Sequence, residues 1–431
     1  MKFQPPRGTR DFLPEEMVKR EYVIQTIKKI FESYGFDALE TPVFEEWQLL
    51  IKKSGEDIKK QIYYFKDKAD RELGLRFDLT VPLARVVANN PQLPKPFKRY
   101  AISPVWRYEE ITAARKREFY QCDIDVVGSS SMDADVECIA CAVDCLKALG
   151  FKDFVVRINN RKVLDGFIEL IDADRKRDLD VFRTIDKLEK FGLDAVRREL
   201  KDILDENQIK KLVELVAVKG DFNEVLEKSK NLLKGINIGE EGLKELQDVF
   251  SIVKEYGISN LLKLDLSVAR GLDYYTGSIF EIVVKGYEKF GSIAAGGRYD
   301  NLIEIFGGRD TPATGISLGI ERIIEILKSE DKLDFPKTKV KMFVANVNNE
   351  VKKDSIKIAQ VLRKNGLSCQ TDLMNRTLVK QLEYADSLEI PYVIIVGKKE
   401  IESKRFKLKD MKKKTEKELS MDEIISLVKS Y

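Results

Sequence analysis

From about residue 173 to residue 258 the chain reads as charged helix without a strand-like run, while strand-like runs stand on both sides of that stretch. Strands of one sheet must lie side by side, so the flanks have to meet across the helical segment, which is then an insertion. At 431 residues the chain is long enough for two or three domains. The flanks, 1–172 and 259–328, are expected to form one α+β domain, with 173–258 as its helical insert. A charged, Pro-containing linker, SEDKLDFPKTK, then leads to 336–431, where strand-like and helix-like segments alternate from KMFVANV to YVIIVG. That rhythm predicts a small α/β domain with a largely parallel sheet.

Residues 15–34 carry apolar positions at helical spacing and stop at Gly35. The strand-like FDALETPVFE, 36–45, is interrupted by Pro42, which removes a backbone donor and marks an edge, a bulge or an interface. Strands over 61–65 and 73–77 precede a helix entered at Thr80. Residues 97–108 and 117–127 read as two strands joined by a charged loop. In the second, Phe119, Gln121, Asp123 and Asp125 share one face, and Tyr120, Cys122, Ile124 and Val126 share the other. The polar face is either solvated or the floor of a polar pocket. A helix over 131–150, strands over 154–159, 262–268, 278–284 and 292–297, and a helix over 316–327 complete the domain.

Composition removes several chemistries. The chain has no histidine, which excludes Ser-His-Asp and Cys-His catalysis, His-ligated zinc and a His general base. What remains is Arg, Asp, Glu, Gln, Tyr, Thr and backbone groups, an inventory suited to positioning and charge stabilisation. Five cysteines, thinly spread, do not describe a disulfide framework. Cys138, Cys141 and Cys145 fall at helical spacing, and a buried apolar face is the expected reading over a metal site. No apolar run approaches the ~20 residues that span a bilayer, and the N-terminus has no apolar signal core. A cytoplasmic protein is expected. From Pro336 onward there are 21 Lys and Arg against 13 Asp and Glu, whereas the whole chain is nearly balanced at +3. A basic tail on a mildly acidic body fits either a nucleic-acid contact or a Lys-rich surface.

Four segments hold parts for binding a nucleotide and a small zwitterion. In VWRYEEITAARKREFYQCDID, Arg107 and Glu109 share a strand face, Phe119 offers a ring, and Arg115, Lys116 and Arg117 stand in the loop. The planar guanidinium fork suits phosphate; the other reading is a charged hairpin with a surface ion pair. In SVARGLDYYTGSIFEI, Arg270 precedes Asp273, Tyr274 and Tyr275, with Gly271 and Gly277 permitting close approach; the alternative is a β-bulge with core tyrosines. AAGGRYDNL, 294–302, leaves an uncovered patch of strand or makes a tight turn. TGISLGIERI, 314–323, leads into a helix bearing Glu321 and Arg322.

RGLDYYTG (270–277) and AAGGRYD (294–300) resemble the two signature motifs of histidyl-tRNA synthetases. GFDALETPVFE (35–45), FKRYAISPVWRYEE with REFYQCDIDVVG (97–128), and GISLGIERI (315–323) are similar to class II synthetase motifs 1, 2 and 3, in order. PRGTRDFLPEE (6–16) and RFDLTVPLAR (76–85) also fit, and the match runs through nearly the whole chain, weakest in the helical insert. The wording is closer to the archaeal and eukaryotic cytosolic branch, with Asp at Asp78 and Asp125.

The resemblance implies a class II antiparallel-sheet catalytic domain, an insert that contacts the tRNA acceptor arm, a C-terminal α/β anticodon-binding domain, and a homodimer formed through motif 1. It implies ATP, L-histidine and tRNA(His) as substrates, with Mg²⁺ accompanying ATP. Arg107 would hold the α-phosphate and the histidine carboxylate, Glu109 the adenine edge, and Phe119 the adenine face. Arg115 and Arg322 would grip the β- and γ-phosphates. Asp78, Thr80 and Gln121 would hold the α-ammonium, while Asp125 and Tyr275 would read the imidazole nitrogens with Tyr274 beside them. Arg270 would stabilise charge on the α-phosphate during attack. A non-catalytic paralogue regulating histidine biosynthesis, or a sensor of uncharged tRNA, is the alternative. Such regulators lack RGLDYY and the C-terminal domain, and both are present here.

Overall fold

An eight-stranded sheet organises the larger part of the molecule. The computed structural model describes residues 3–52, 56–112, 115–188, 192–269, 274–333 and 335–429. Across the sheet the strands run Asp37–Ala38, Phe97–Trp106, Glu118–Val127, Ala313–Gly319, Ala294–Arg298, Ser278–Val284, Phe154–Asn160 and Leu262–Leu264. Every pairing is antiparallel except the outermost one at each end. Residues 262–264 lie beyond the helical segment and 154–160 before it, so the sheet does close across that segment.

One face of the sheet is apolar and covered. The helix Met132–Ala148 starts at the Ser131 cap, whose side chain accepts from the Asp133 N–H. Cys138, Cys141 and Cys145 on it are fully buried free thiols, among Val136, Ile139, Val143 and Leu146. They belong to the apolar face, as their spacing suggested. Val23, Ile27 and Phe31, four residues apart on the helix Pro14–Ser33, are also fully buried.

The helical segment is tied down by glycines. In the helices Arg161–Leu170 and Asn237–Glu255, a Cβ on Gly166 would stand 2.8 Å from the Gly239 Cα, and one on Gly242 would stand 2.9 Å from the Val163 nitrogen. Only glycine allows these backbones so close. Two units emerge by compactness: residues 1–10 with 23–332, and residues 11–22 with 333–431. Residues 173–258 fall in the first.

Two boundaries differ from the sequence reading. The helix expected over 316–327 begins only at Ile320; residues 313–319 are a strand between 118–127 and 294–298. The strand-like 36–45 splits into Asp37–Ala38 and Phe44–Glu46 around Pro42. The carbonyls freed there are satisfied by Arg76, which is buried and donates to Thr41 O at 2.7 Å and Pro42 O at 3.3 Å. The second piece joins a small sheet with Tyr64–Lys66 and Glu72–Leu75.

In the second unit the strands run Cys369–Thr371, Met342–Asn346, Tyr392–Val396, Arg405–Asp410 and Thr415–Ser420. The first three are parallel, as expected, and the last two form an antiparallel hairpin that the sequence reading missed. Among the described residues no helix is long and apolar enough to cross a membrane.

Candidate active site

The exposed-or-pocket question at the 118–127 strand has a clear answer. Asp123 and Asp125 are buried, at 3% and 2% exposure, on the face opposite the helix 132–148. They look onto residues contributed by three neighbours. From the 97–106 strand comes Arg99, 1% exposed and paired in register with Asp125; its Nη2 lies 2.7 Å from Asp125 Oδ2 and donates to Leu79 O at 3.0 Å. From 313–319 comes Ser317, opposite Asp123. Beside them stand Asp78 and Thr80, at the start of the helix Thr80–Asn89.

The 313–319 strand supplies space as well as a hydroxyl. A Cβ on Gly315 would stand 2.2 Å from Asp125 Oδ1, so glycine there is what lets the carboxylate lie across the strand. Asp125 Oδ1 accepts a hydrogen bond from the Tyr299 hydroxyl. Tyr299 in turn packs against Tyr274 at 5.9 Å between ring centroids, and the Tyr274 hydroxyl stands within the influence of Thr80, Asp78 and Arg107. Tyr275 rests on bare backbone: a Cβ on Gly297 would be 2.9 Å from its ring. AAGGR is thus a strand and not a tight turn, and Gly297 leaves a patch of it uncovered for the Tyr275 ring.

Three carboxylates, Asp78, Asp123 and Asp125, face Arg99, with Arg107 acting on Asp78. Burial raises all three above the ordinary carboxylate range, against the pull of Arg99; Asp123 is pushed up to about 7, helped by Asp125 and Asp78. Four oxygens here are buried without a hydrogen-bond partner: Asp78 Oδ2, Gln121 Oε1, Asp123 Oδ1 and Asp125 Oδ2. The Arg99 contact to Asp125 Oδ2 is an ion pair lacking hydrogen-bond alignment, which leaves that oxygen able to accept. Unmet buried acceptors are costly. Gathered in one pocket, they describe the complement of a ligand rich in N–H donors and carrying positive charge.

A second cluster adjoins it. Arg107 donates from Nε to Phe77 O at 2.9 Å, and its guanidinium stands 5.3 Å from the centre of the Phe119 ring. Glu109 lies 4.0 Å from Arg107 and 3.4 Å from Arg115. Arg115 is exposed, with its guanidinium free to leave Glu109 for a stronger anion. Arg117 is differently used: it lies over the Tyr108 ring at 3.7 Å, and its backbone N–H donates to Gly8 O. In the first turn of the helix Ile320–Ser329, Glu321 accepts from the Tyr120 N–H, so it braces this strand. Arg322 donates to Ser292 O at 2.6 Å.

The structure therefore brings Asp78, Thr80, Arg107, Gln121, Asp125 and Tyr274 around one pocket, with Tyr275 next to Tyr274, and sets Glu109, Arg115 and Phe119 beside Arg107. Arg270 and Asp273 lie outside the described residues. The chain leading to Arg270 is fixed: Asn159 Nδ2 donates to Leu266 O and Val268 O, and Arg157 pairs with Asp265 and Glu281. Sequence reasoning missed Arg99, Tyr299 and Ser317. Tyr299 stood inside AAGGRYD, and Arg99 two residues along the strand from Ala101, opposite Asp125; only register reveals either.

A cavity of about 440 Å³ opens beyond Tyr274 and Tyr275, toward Arg161, Lys162 and Asp300. Its cations are already committed, Arg161 to Asp165 and Asp178, Lys162 to Glu241 and Glu245. Its two cations are thus paired, whereas the Asp78–Asp125 group keeps unpartnered acceptors. Among the described residues no three His, Cys, Asp or Glu side chains group as a metal cage.

The family model described as histidyl-tRNA synthetase matches residues 8–323, and one described as an anticodon binding domain matches 341–431. The histidine–tRNA ligase of Pyrococcus furiosus is 39% identical over 426 residues, 98% of both chains. That of Thermococcus kodakarensis is 40% identical, again over 98% of both. The crystal structure of histidyl-tRNA synthetase from Nostoc sp. PCC 7120 superposes with a TM-score of 0.88 at 34% identity, covering 100% of this chain and 99% of that one. With the fold, the pocket and these likenesses in agreement, the chain belongs to the histidyl-tRNA synthetase family, the class II ligases that join histidine to its tRNA.

Proposed function

We propose that the Asp78–Asp125 pocket takes L-histidine and that the Arg107 cluster takes ATP. The observation that carries this reading is the set of unpartnered buried acceptors. Asp78 Oδ2 and Gln121 Oε1 suit the α-ammonium, together with the Thr80 hydroxyl, and Asp125 Oδ2 suits an imidazole N–H. Tyr275 supplies the group for the second ring nitrogen, with Tyr274 beside it. A site built to bond these groups rejects an apolar analogue by a large factor, because its own polar atoms would stay unmet.

Arg107 sits where the amino-acid carboxylate and the α-phosphate meet. Phe119 supports adenine, Glu109 accepts from its edge, and Arg115 and Arg322 hold the outer phosphates. A carboxylate oxygen of histidine attacks the α-phosphorus, and pyrophosphate leaves. The nucleophile is already an anion, so no general base is required. The barrier is the approach of two anions, which Arg107 and Arg270 lower by holding both. A terminal hydroxyl of the tRNA then attacks the histidyl carbonyl, and AMP leaves. Mg²⁺ brought in with ATP would supply counter-charge to the phosphates beside Arg115 and Arg322.

The remaining assignments are proposals on the same footing. Residues 173–258 meet the acceptor arm, and 336–431 hold the anticodon stem. The enzyme works in the cytoplasm as a homodimer. The half-exposed Val43, Phe44, Tyr64 and Phe65 on the small three-stranded sheet, in the motif 1 region, support that dimer. Histidine-dependent exchange of pyrophosphate into ATP tests the whole reading and separates it from a regulator or sensor, which would show none. Asp125→Asn should lose histidine activation by roughly a hundredfold while ATP binding holds, since it removes a charged acceptor. Unchanged discrimination between histidine and its isosteres would contradict the assignment.

A further inference from the structure

Asp123 faces the same pocket as Gln121 and Asp125, yet the reading above gives it no task. Its surroundings are specific. On its own strand it stands between Gln121 and Asp125; the 97–106 strand contributes Arg99; the segment before the Thr80 helix contributes Asp78; and the 313–319 strand contributes Ser317. No lysine and no imidazole is among these neighbours.

The hydrogen bonds have a direction. Gln121 Nε2 donates to Ser317 Oγ at 3.0 Å, and Ser317 stands directly opposite Asp123 across the two strands, where its hydroxyl favours the ionised carboxylate. An ionised carboxylate can only accept. The Ser317 proton therefore points to Asp123, a lone pair of Ser317 is left for Gln121, and the Gln121 amide is held nitrogen toward Ser317. Its oxygen is then the atom left over, and Gln121 Oε1 is indeed buried without a partner. If the amide turned over, its NH₂ would meet the ligand ammonium donor to donor.

We propose that Asp123 is a positioning residue: acting through the Ser317 hydroxyl, it fixes the Gln121 amide with its oxygen toward the substrate α-ammonium. The proposal rests on the reading that Gln121 receives that ammonium. Asp123 also adds a second negative charge near the ammonium, after Asp78. Protonating it withdraws the acceptor that orients Ser317 and removes that charge together. Burial and the neighbouring Asp125 push its pKa up to about 7, so the protonation falls in an accessible range. The affinity for the amino acid is expected to fall as pH drops through that range.

The full-length protein lends itself to the test because it has no histidine of its own. A triazole analogue of histidine, whose ring stays neutral, removes the substrate imidazole from the titration. Binding is measured by calorimetry without ATP, from pH 5.5 to 8.5, in wild type, Asp123→Asn, Ser317→Ala, the double variant and Gln121→Leu. Asp123→Asn and Ser317→Ala should each weaken analogue binding at pH 8 by roughly tenfold, the size of one charge-assisted hydrogen bond. Asp123→Asn should flatten the low-pH limb and Ser317→Ala should reduce it to the part carried by the Asp123 charge; both should leave the KM for ATP unchanged and be non-additive in the double variant. A purely structural role would move the affinity at all pH values and leave the limb in place. Wild-type affinity with an intact limb in Asp123→Asn overturns the proposal, as does full additivity with Ser317→Ala. If Gln121→Leu costs nothing, the assignment of Gln121 is at fault. If Gln121→Leu is costly while the other two are silent, only the role of Asp123 fails. Should Asp123→Asn not fold, Ser317→Ala alone must still weaken analogue binding at pH 8 and reduce the low-pH limb, and wild-type affinity with an intact limb in it overturns the proposal.

Discussion

Asp123 is held in the folded protein with a pKa of about 7, against 3.8 for the ordinary group. Between those values the folded state keeps a proton that the unfolded chain has released. Its contribution to stability is thus fully present below about pH 4, declines as pH rises, and is lost above about 7. At pH 8 the buried charge destabilises the empty enzyme. Asp123→Asn should therefore stabilise the empty enzyme at pH 8, by a few kcal/mol at most on the order of the pKa shift, seen as a higher melting temperature, and by less at pH 5. An equal shift at both pH values, or a lower melting temperature at pH 8, would refute this. A residue that lowers stability in the empty state and improves substrate binding is the usual trade at a functional site. Alternation had placed Asp123 on a polar face beside Gln121 and Asp125. What alternation cannot give is the cross-strand partner, and Arg99, Ser317 and Tyr299 follow only once register is known.

At the scale of elements, most of the sheet was legible, because its strands are bounded by Pro, Gly or charged turns. The 313–319 strand was not. Its inward residues Thr314, Ile316 and Leu318 run straight into the apolar pattern of the helix 320–329, and a short apolar run does not declare its period. The hairpin 405–420 was hidden for the opposite reason: only Phe406 and Leu408 are buried, and lysines on the exposed side swamp the alternation. The misread strand is the one that makes the pocket, and two glycines test this. A Cβ on Gly296 would sit 2.0 Å from Gly315 O and 2.7 Å from the Ile316 Cα, backbone atoms that cannot yield cheaply. Gly296→Ala should cost roughly 1–3 kcal/mol in stability, seen as an earlier unfolding transition. On Gly315 the Cβ meets Asp125 Oδ1, but also Ile124 O at 2.7 Å. Gly315→Ala should both destabilise and displace Asp125, raising the histidine KM at least tenfold, roughly the worth of one charge-assisted bond, with the ATP KM little changed. If Gly315→Ala keeps normal histidine kinetics, the placement of Asp125 against this strand is not what forms the site.

At the scale of the whole molecule the charge is divided: 21 basic against 13 acidic residues from Pro336 onward, in a chain whose net charge is only +3. The hairpin concentrates it. Lys407, Lys412, Lys413 and Lys417 are exposed there, while Lys409 is partly balanced by Glu416 at 3.7 Å. Removing the tail domain is the obvious way to ask whether this charge serves tRNA, but the fold argues against it. Residues 11–22 belong to the same compact unit, with the Tyr22 ring tilted at 45° against Phe335, 4.7 Å between centroids, so a cut near 332 would also strip the front of the first helix of its packing. Point replacement is cleaner. Changing Lys407, Lys412, Lys413 and Lys417 to Gln leaves the buried Phe406 and Leu408 in place. If the hairpin meets the tRNA backbone, the KM for tRNA should rise at low salt. The dependence of log K on log salt should also become shallower, by roughly 0.7 for each phosphate that is no longer neutralised. Pyrophosphate exchange, which needs no tRNA, should be unaffected. Unaltered tRNA charging with an unaltered salt slope would remove the hairpin from the RNA interface, and the excess charge would then be a Lys-rich surface and nothing more.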